Sequence, residues 1–174
     1  MLRRSSCALL LVAATLGGLS PPCAAAAGIA SQPLFRIERS KNANVVQYDA
    51  RVHEDGSLDR NEPVDAYWLK LASDGRRKEL NWLQRHAAYG FDVRWQESAL
   101  ELEMVAPIGR RVQIVPGSDG WEARTRIDGR TCRIDRIFVQ SIERRVLPPT
   151  VEYIDFAGRE VASGEPCAER FVPD

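Results

Sequence analysis

Residues 35–52 read FRIERSKNANVVQYDARV, and they decide the fold because two β-like runs flank a polar centre. The second run places Val46, Tyr48, Ala50 and Val52 on one side. Alternation with a period of two is typical of a strand that buries one face. The polar centre, SKNAN, is rich in serine and asparagine, which favour turns. The stretch therefore predicts a β-hairpin, and two alternatives stay open for SKNAN: a binding loop, or only the structural turn of the hairpin.

The same alternation recurs along the rest of the chain. It is present in FDVRWQ (91–96), ALELEMVA (99–106), RVQIV (111–115) and WEARTRI (121–127). VDAYWLKLA (64–72) is apolar on both faces, which indicates a central strand. In TCRIDRIFVQSIE (131–143) the apolar phase slips, and a β-bulge near Asp135 and Arg136 would restore it.

One helix interrupts the strands. In NWLQRHAAYG (81–90), Asn81 and Gln84 have the spacing of a capping box, and Gly90 stands where a glycine commonly ends a helix. Asp-Gly pairs begin at 55, 74, 119 and 128 and separate the predicted strands. The predicted fold is mainly β: a single antiparallel barrel or barrel-like sandwich with one short helix at about 82–89.

The N-terminus has the features of a bacterial secretory signal peptide. A basic start, MLRR, precedes an apolar run over 7–19, which is far shorter than the roughly 20 residues of a spanning helix. We expect cleavage near Ala27, so that 1–27 is the signal peptide, 28–34 a flexible lead and 35–174 a single β-rich domain. The expected location is the periplasm or the medium, with no transmembrane segment once the signal is removed.

Charge and cysteine content narrow the function classes. Removal of 1–27 takes away two arginines and no acidic residue, so acidic residues exceed basic ones by two. The chain therefore lacks the basic excess of a nucleic-acid-binding protein. Two cysteines remain, Cys132 and Cys167, and an even pair in an exported chain predicts a disulfide. The alternative is two buried thiols.

No established catalytic pattern is present. The chain has two histidines, His53 and His86, and it contains no G-x-S-x-G motif and no glycine-rich phosphate loop. The acidic stretch DGSLDRNEP (55–63) does not have the spacing of an EF-hand calcium loop. We predict no catalytic residue, no metal site and no cofactor.

Several of these stretches carry a family resemblance. FRIERSKNANVVQYDARV, PVDAYWLKLA, NWLQRHAAYGFDV, VEYIDFAGREVASGEP and the terminal ERFVP together resemble the bacterial family called domain of unknown function 4833. The resemblance covers about 35–173 and implies a single compact domain. It implies no catalytic or cofactor residue. It also implies that RSKNAN and DAYW belong to the pattern of the family.

The leading functional hypothesis is a non-enzymatic periplasmic protein that binds a small ligand. Small barrels can enclose an apolar ligand at one mouth. The predicted binding residues are a polar rim and two aromatic side chains: Arg39, Lys41, Asn42, Asn44, Tyr48 and Trp68. The alternatives are an envelope module that binds another protein through a sheet face or edge, and a hydrolase with a dispersed site. A filled interior would favour the interaction module.

Overall fold

The structure is a computed structural model that describes residues 28–97, 99–106, 110–142 and 150–173. The predicted signal peptide lies outside the described residues. The described residues form eleven strands: β1 (Ala30–Arg39), β2 (Asn42–Val52), β3 (Val64–Leu69), β4 (Arg77–Glu79), β5 (Phe91–Trp95), β6 (Leu100–Met104), β7 (Arg111–Gly117), β8 (Gly120–Ile127), β9 (Arg130–Ile142), β10 (Thr150–Glu160) and β11 (Pro166–Phe171). The mainly β fold is therefore confirmed.

The strands belong to one curled sheet that forms a half-barrel. Its main path runs β4-β3-β2-β1-β9-β8-β7-β6-β5. β10 pairs with the other side of β9, and β11 pairs with β10. Residues 30–34, which we expected to belong to a flexible lead, are part of β1 and pair with β2.

Strand β9 is the branch point of the sheet. Residues 130–133 pair with β8, whereas residues 136–139 pair with β1. The β1–β9 pairing is parallel, and it departs from the antiparallel arrangement that we predicted; the remaining pairings are antiparallel. A tight hairpin enforces antiparallel pairing, but β1 and β9 are far apart in the chain, so no turn sets their relative direction.

The predicted β-bulge is present in β9. Arg136 pairs with Ala157 and Ile134 pairs with Gly158, so Asp135 is left without a partner in β10. Asp135 and Arg136 are both exposed, and the buried face of the strand resumes after them. The bulge therefore corrects the phase slip that the sequence contains.

The helical segment spans the predicted residues. It consists of α1 (Trp82–Gln84) and a π-helical turn (Arg85–Tyr89). Asn81 Oδ1 accepts from the Gln84 amide at 2.9 Å and Gln84 Oε1 accepts from the Asn81 amide at 3.0 Å, which confirms the capping box. Gly90 ends the segment with an extended backbone. A side chain there would lie 1.8 Å from the Arg85 carbonyl oxygen, so glycine is required for space rather than for a left-handed φ.

One buried cluster occupies the interior of the half-barrel. It takes residues from β1–β3 and β6–β11, and the largest of those that are fully buried include Tyr48, Phe156 and Leu100. The predicted disulfide is formed between Cys132 of β9 and Cys167 of β11, and both residues are buried. Within the described ranges, no helix is both long enough and apolar enough to cross a bilayer.

Candidate functional site

The predicted binding loop is a tight turn between β1 and β2. Ser40 and Lys41 form this turn and are exposed. Asn42 Oδ1 accepts from the Asn44 amide at 3.0 Å, and Asn44 Oδ1 accepts from the amide of Ala72 in the turn after β3 at 2.9 Å. Both carboxamides therefore stabilise turns, as the structural alternative for SKNAN would require. Their role in ligand binding stays a prediction.

Trp68 and Arg39 lie together near the same end of the sheet. The Arg39 guanidinium carbon is 4.4 Å from the centre of the Trp68 ring, and the Lys70 ammonium is 5.2 Å from it. Trp68 Nε1 donates to Gln84 Oε1 at 3.2 Å, and the ring meets Tyr89 edge-on. Trp68 is buried, so these contacts attach the helical segment to the core.

Tyr48 is a core residue. Its ring stacks on Phe35 with a centroid separation of 4.4 Å, and it also contacts Phe91. Its hydroxyl donates to the Tyr89 carbonyl oxygen at 2.7 Å. Burial raises the pKa of Tyr48 far above its ordinary value. The structure thus brings Arg39 and Trp68 together, but it places Tyr48 within the packed interior.

A groove opens where the curled sheet does not close. We call this region the seam: the space between residues 64–66 of β3 and strand β5, bridged by the helical segment. The groove has a volume of about 420 Å³. Its lining combines apolar side chains with a polar border, and it comprises Asn61, Glu62, Pro63, Val64, Ala66, Arg85, His86, Tyr89, Gly90, Phe91, Asp92, Val93 and Val105. This size and mixture are typical of sites that bind small molecules.

The main chain of β5 has one free side, which faces the seam. On its other side β5 pairs with β6, and one main-chain hydrogen bond at each end of the pair fixes which residues of that ladder are hydrogen-bonded. The Gly90 carbonyl accepts from the Val105 amide at 3.0 Å, and the Gln96 amide donates to the Ala99 carbonyl at 2.9 Å. Even-numbered residues of β5 are therefore hydrogen-bonded to β6, because bonded pairs alternate in an antiparallel ladder.

The odd-numbered residues of β5 point their amides and carbonyls away from β6. These residues are Phe91, Val93 and Trp95. Among the described residues, no other main-chain or side-chain group hydrogen-bonds to them on that side. β5 is thus an edge strand whose free donors and acceptors are available to a further strand.

Apolar side chains are exposed on β5 and on the helical segment that borders the seam. Trp82 is 72% exposed and Leu83 is 63% exposed, both on the helical segment that borders the seam. Val93 and Trp95 are 36% and 39% exposed. The Arg60 guanidinium carbon is 4.7 Å from the centre of the Trp95 ring. Exposed aromatic and aliphatic side chains around an unpaired edge are typical of recognition surfaces.

A polar cluster that the sequence analysis missed lies on the outer face of the sheet. The Asp49 carboxylate is buried, and its Oδ2 accepts from Ser31 Oγ and from the Tyr67 hydroxyl, each at 2.7 Å. Gln47 Nε2 donates to its Oδ1 at 2.9 Å. Burial and the bond to Asp49 raise the pKa of Tyr67 to about 12, and the Arg77 guanidinium covers its ring. The sequence did indicate this cluster through one feature, the acidic residue Asp49 on the polar face of VVQYDARV.

The acidic stretch at 55–63 is a pair of turns. Asp55 Oδ1 accepts from the Ser57 amide and hydroxyl, and Asp59 Oδ1 accepts from the Asn61 amide. These hydrogen bonds hold the pKa values of both aspartates below their usual range. Over the residues that the structure describes, no group of three or more His, Cys, Asp or Glu residues is arranged to hold a metal ion.

Comparison with known proteins assigns the family. A family model described as Domain of unknown function (DUF4833) matches residues 35–170. No curated protein and no solved structure matches the chain. The family match includes the β1–β2 hairpin, the helical segment and the seam, and it extends over well more than half of the 174 residues. The chain therefore belongs to the DUF4833 family of domains of unknown function.

Proposed function

We propose that this chain is a non-enzymatic, exported module of the bacterial envelope that binds an extended protein segment along β5. The observation that carries the proposal is the free main-chain edge of Phe91, Val93 and Trp95. An added strand would satisfy those amides and carbonyls, and neighbouring side chains would supply specificity. Trp82 is exposed and stacks on His86, which lines the groove, so it would offer such a contact.

The occupied interior favours this proposal over ligand binding inside a barrel. The side chains that would line an internal site, including Tyr48 and Trp68, belong to the buried core cluster. Val93 and Trp95 on β5, by contrast, keep exposed apolar side chains. Recognition at the seam therefore needs no rearrangement of the core. Export is supported by the signal-peptide features of 1–27 and by the Cys132–Cys167 disulfide, which is typical of oxidising compartments.

Site-specific photocrosslinking in producing cells tests the proposal. A photoreactive amino acid replaces Val93 at the free edge, and a matched probe replaces Arg133, which is exposed on β9 outside the seam. We expect a discrete protein adduct from position 93 and none from position 133. Trp95→Pro removes an outward-facing amide without breaking the ladder to β6, so it should abolish the adduct. Equal labelling from both positions, or no adduct from position 93, would contradict the proposal.

A second candidate is a small ligand bound in the groove of the seam. The groove volume of about 420 Å³ and its mixture of apolar and charged side chains favour this alternative. Native mass spectrometry before and after denaturation is the direct test, because a bound molecule adds mass that denaturation removes. Arg85→Ala should weaken retention of such an adduct, whereas Arg126→Ala, outside the groove, should not. A bare native protein would count against this candidate.

A further inference from the structure

Strand β5 is complementary to itself in the antiparallel direction. Its sequence is FDVRW, and a two-fold axis at Val93 places Phe91 opposite Trp95 of the partner subunit. The same axis places Asp92 opposite Arg94 of the partner subunit. We propose that two copies of this chain associate through β5 into a symmetric dimer. This inference rests on the proposed function, because it names a second copy as the segment that β5 binds.

The hydrogen-bond phase of β5 fits this register. The outward-facing groups belong to Phe91, Val93 and Trp95, so these positions would form the bonded pairs across the dimer. Asp92 and Arg94 would then occupy the non-bonded pairs, in which the two strands bring their side chains closest. In a register shifted by one residue, Asp92 would not lie opposite Arg94 of the partner subunit, and the outward-facing amides and carbonyls of the two strands would not meet. The charged positions thus fall where an ion pair is best formed.

The charges of a single copy also leave Asp92 in need of a cation. Asp92 lies directly opposite Glu103 across the β5–β6 ladder, and like charges in that position are destabilising. Arg94 forms an ion pair with Glu103 at 2.7 Å. No cation contacts Asp92 among the residues that the structure describes. Dimerisation would place Arg94 of the partner subunit opposite Asp92, and the two-fold symmetry would form this pair twice.

Apolar burial would add to the association. Val93 and Trp95 are half-exposed in the single copy, and the dimer would place Val93 against Val93 of the partner subunit. Phe91 and Trp95 of the partner subunit would form a cross-strand aromatic pair, which is among the more stabilising pairs in sheets. A two-fold interface of this kind is closed, so it limits the assembly at this edge to two chains.

A charge-swap series tests the register. The molar mass of the purified protein is measured by size-exclusion chromatography with light scattering over a range of concentrations. We expect a dimer that dissociates on dilution. Asp92→Arg should raise its dissociation constant roughly tenfold, because two attractive pairs become repulsive. Adding Arg94→Asp to that variant should restore the dimer. This rescue would not follow from a general loss of folding.

Cysteine crosslinking supplies an independent readout. Val93→Cys should form an intermolecular disulfide on mild oxidation, because bonded pairs have Cα atoms about 5.5 Å apart. Asp92→Cys is the matched control and should not crosslink, since the register offsets the two copies of position 92. Cys7 and Cys23 belong to the predicted signal peptide, so the expected mature chain carries the introduced cysteine and the disulfide-bonded pair of Cys132 and Cys167. Equal crosslinking of both variants would overturn the register.

The outcomes separate the inference from the function on which it rests. A protein that is monomeric at every concentration overturns the dimer, whatever the photoprobe at Val93 captures. If that probe then gives an adduct with another protein, the edge binds a different partner and the proposed function stands. A dimer that survives both Asp92→Arg and Val93→Pro uses another surface, and it also overturns the inference. A monomer without any adduct removes both proposals.

Discussion

Asp49→Asn tests whether the buried outer-face carboxylate contributes to stability. Asp49 accepts hydrogen bonds from Ser31 and Tyr67 on one oxygen and from Gln47 on the other. Hydrogen bonds to a charged acceptor contribute about 1 kcal/mol more than neutral ones. The hydrogen bonds from the Ser31 and Tyr67 hydroxyls would each lose this extra contribution. The Gln47 amide would either face the new amide group at position 49 or require that group to rotate by 180°. We expect the free energy of unfolding to fall by about 2 kcal/mol.

The same variant should change the alkaline stability of the protein. The pKa of Tyr67 is raised from 10.0 to about 12 in the folded state, first by burial and then by the bond to Asp49. A raised tyrosine pKa means that its stabilising contribution is fully present below pH 10 and is lost as the pH rises through 12. That contribution is about 2–3 kcal/mol. Without the charged acceptor, Tyr67 should ionise at lower pH and the alkaline loss should be smaller.

Urea unfolding at neutral pH and ultraviolet titration of tyrosine are the two assays. The urea midpoint should fall while the slope of the transition stays constant. Asp135→Asn is the control, because among the described residues that exposed side chain makes only a long ion pair of 3.6 Å with Arg133. This variant should change stability by less than about 0.5 kcal/mol. Equal effects of the two variants, or an unchanged Tyr67 titration, would refute the reasoning.

Three further predictions concern stability. Cys132→Ala with Cys167→Ala opens a loop with a sequence separation of 35 and should lower the free energy of unfolding by about 4 kcal/mol, measured in urea. Gly158→Ala places a methyl group 2.1 Å from a carbonyl oxygen of β9. It should lower the free energy of unfolding by about 1–3 kcal/mol, which thermal unfolding would show as a lower melting temperature. The hydrogen bond from Arg110 lowers the pKa of Glu169. The contribution of Glu169 to stability is therefore present above its ordinary pKa and is lost as the pH falls through the lowered value. Glu169→Gln should reduce the loss of stability that is measured at acidic pH.

Local features of this fold could be predicted because each is specified by neighbouring residues. The Asn81–Gln84 capping box depends on a three-residue spacing, and the bulge at Asp135 follows from a break in alternation within one strand. The disulfide was predicted from the even number of cysteines that remain in a chain whose N-terminus predicts export. In each case one interaction determines the structure, so the residue pattern is enough to predict it.

Strand neighbours and the seam could not be predicted in the same way. Alternation shows which side of a strand is buried, but it does not show which strand lies beside it. The parallel pairing of β1 with β9 and the free edge of β5 both depend on that missing information. Asn42 and Asn44 illustrate a second limit, because a carboxamide in a loop has the same sequence signature whether it binds a ligand or its own main chain.

The branch at β9 has a consequence for the order in which the chain folds. Arg36 in β1 pairs with Arg136 in β9, so about 100 residues separate the two halves of this ladder. The hairpin of β1 and β2 is synthesised early, yet one edge of β1 stays unpaired until β9 is made. Pairings of such long range slow folding and prolong the exposure of apolar strands. We therefore expect the early strands to require protection from aggregation until the last third of the chain has emerged.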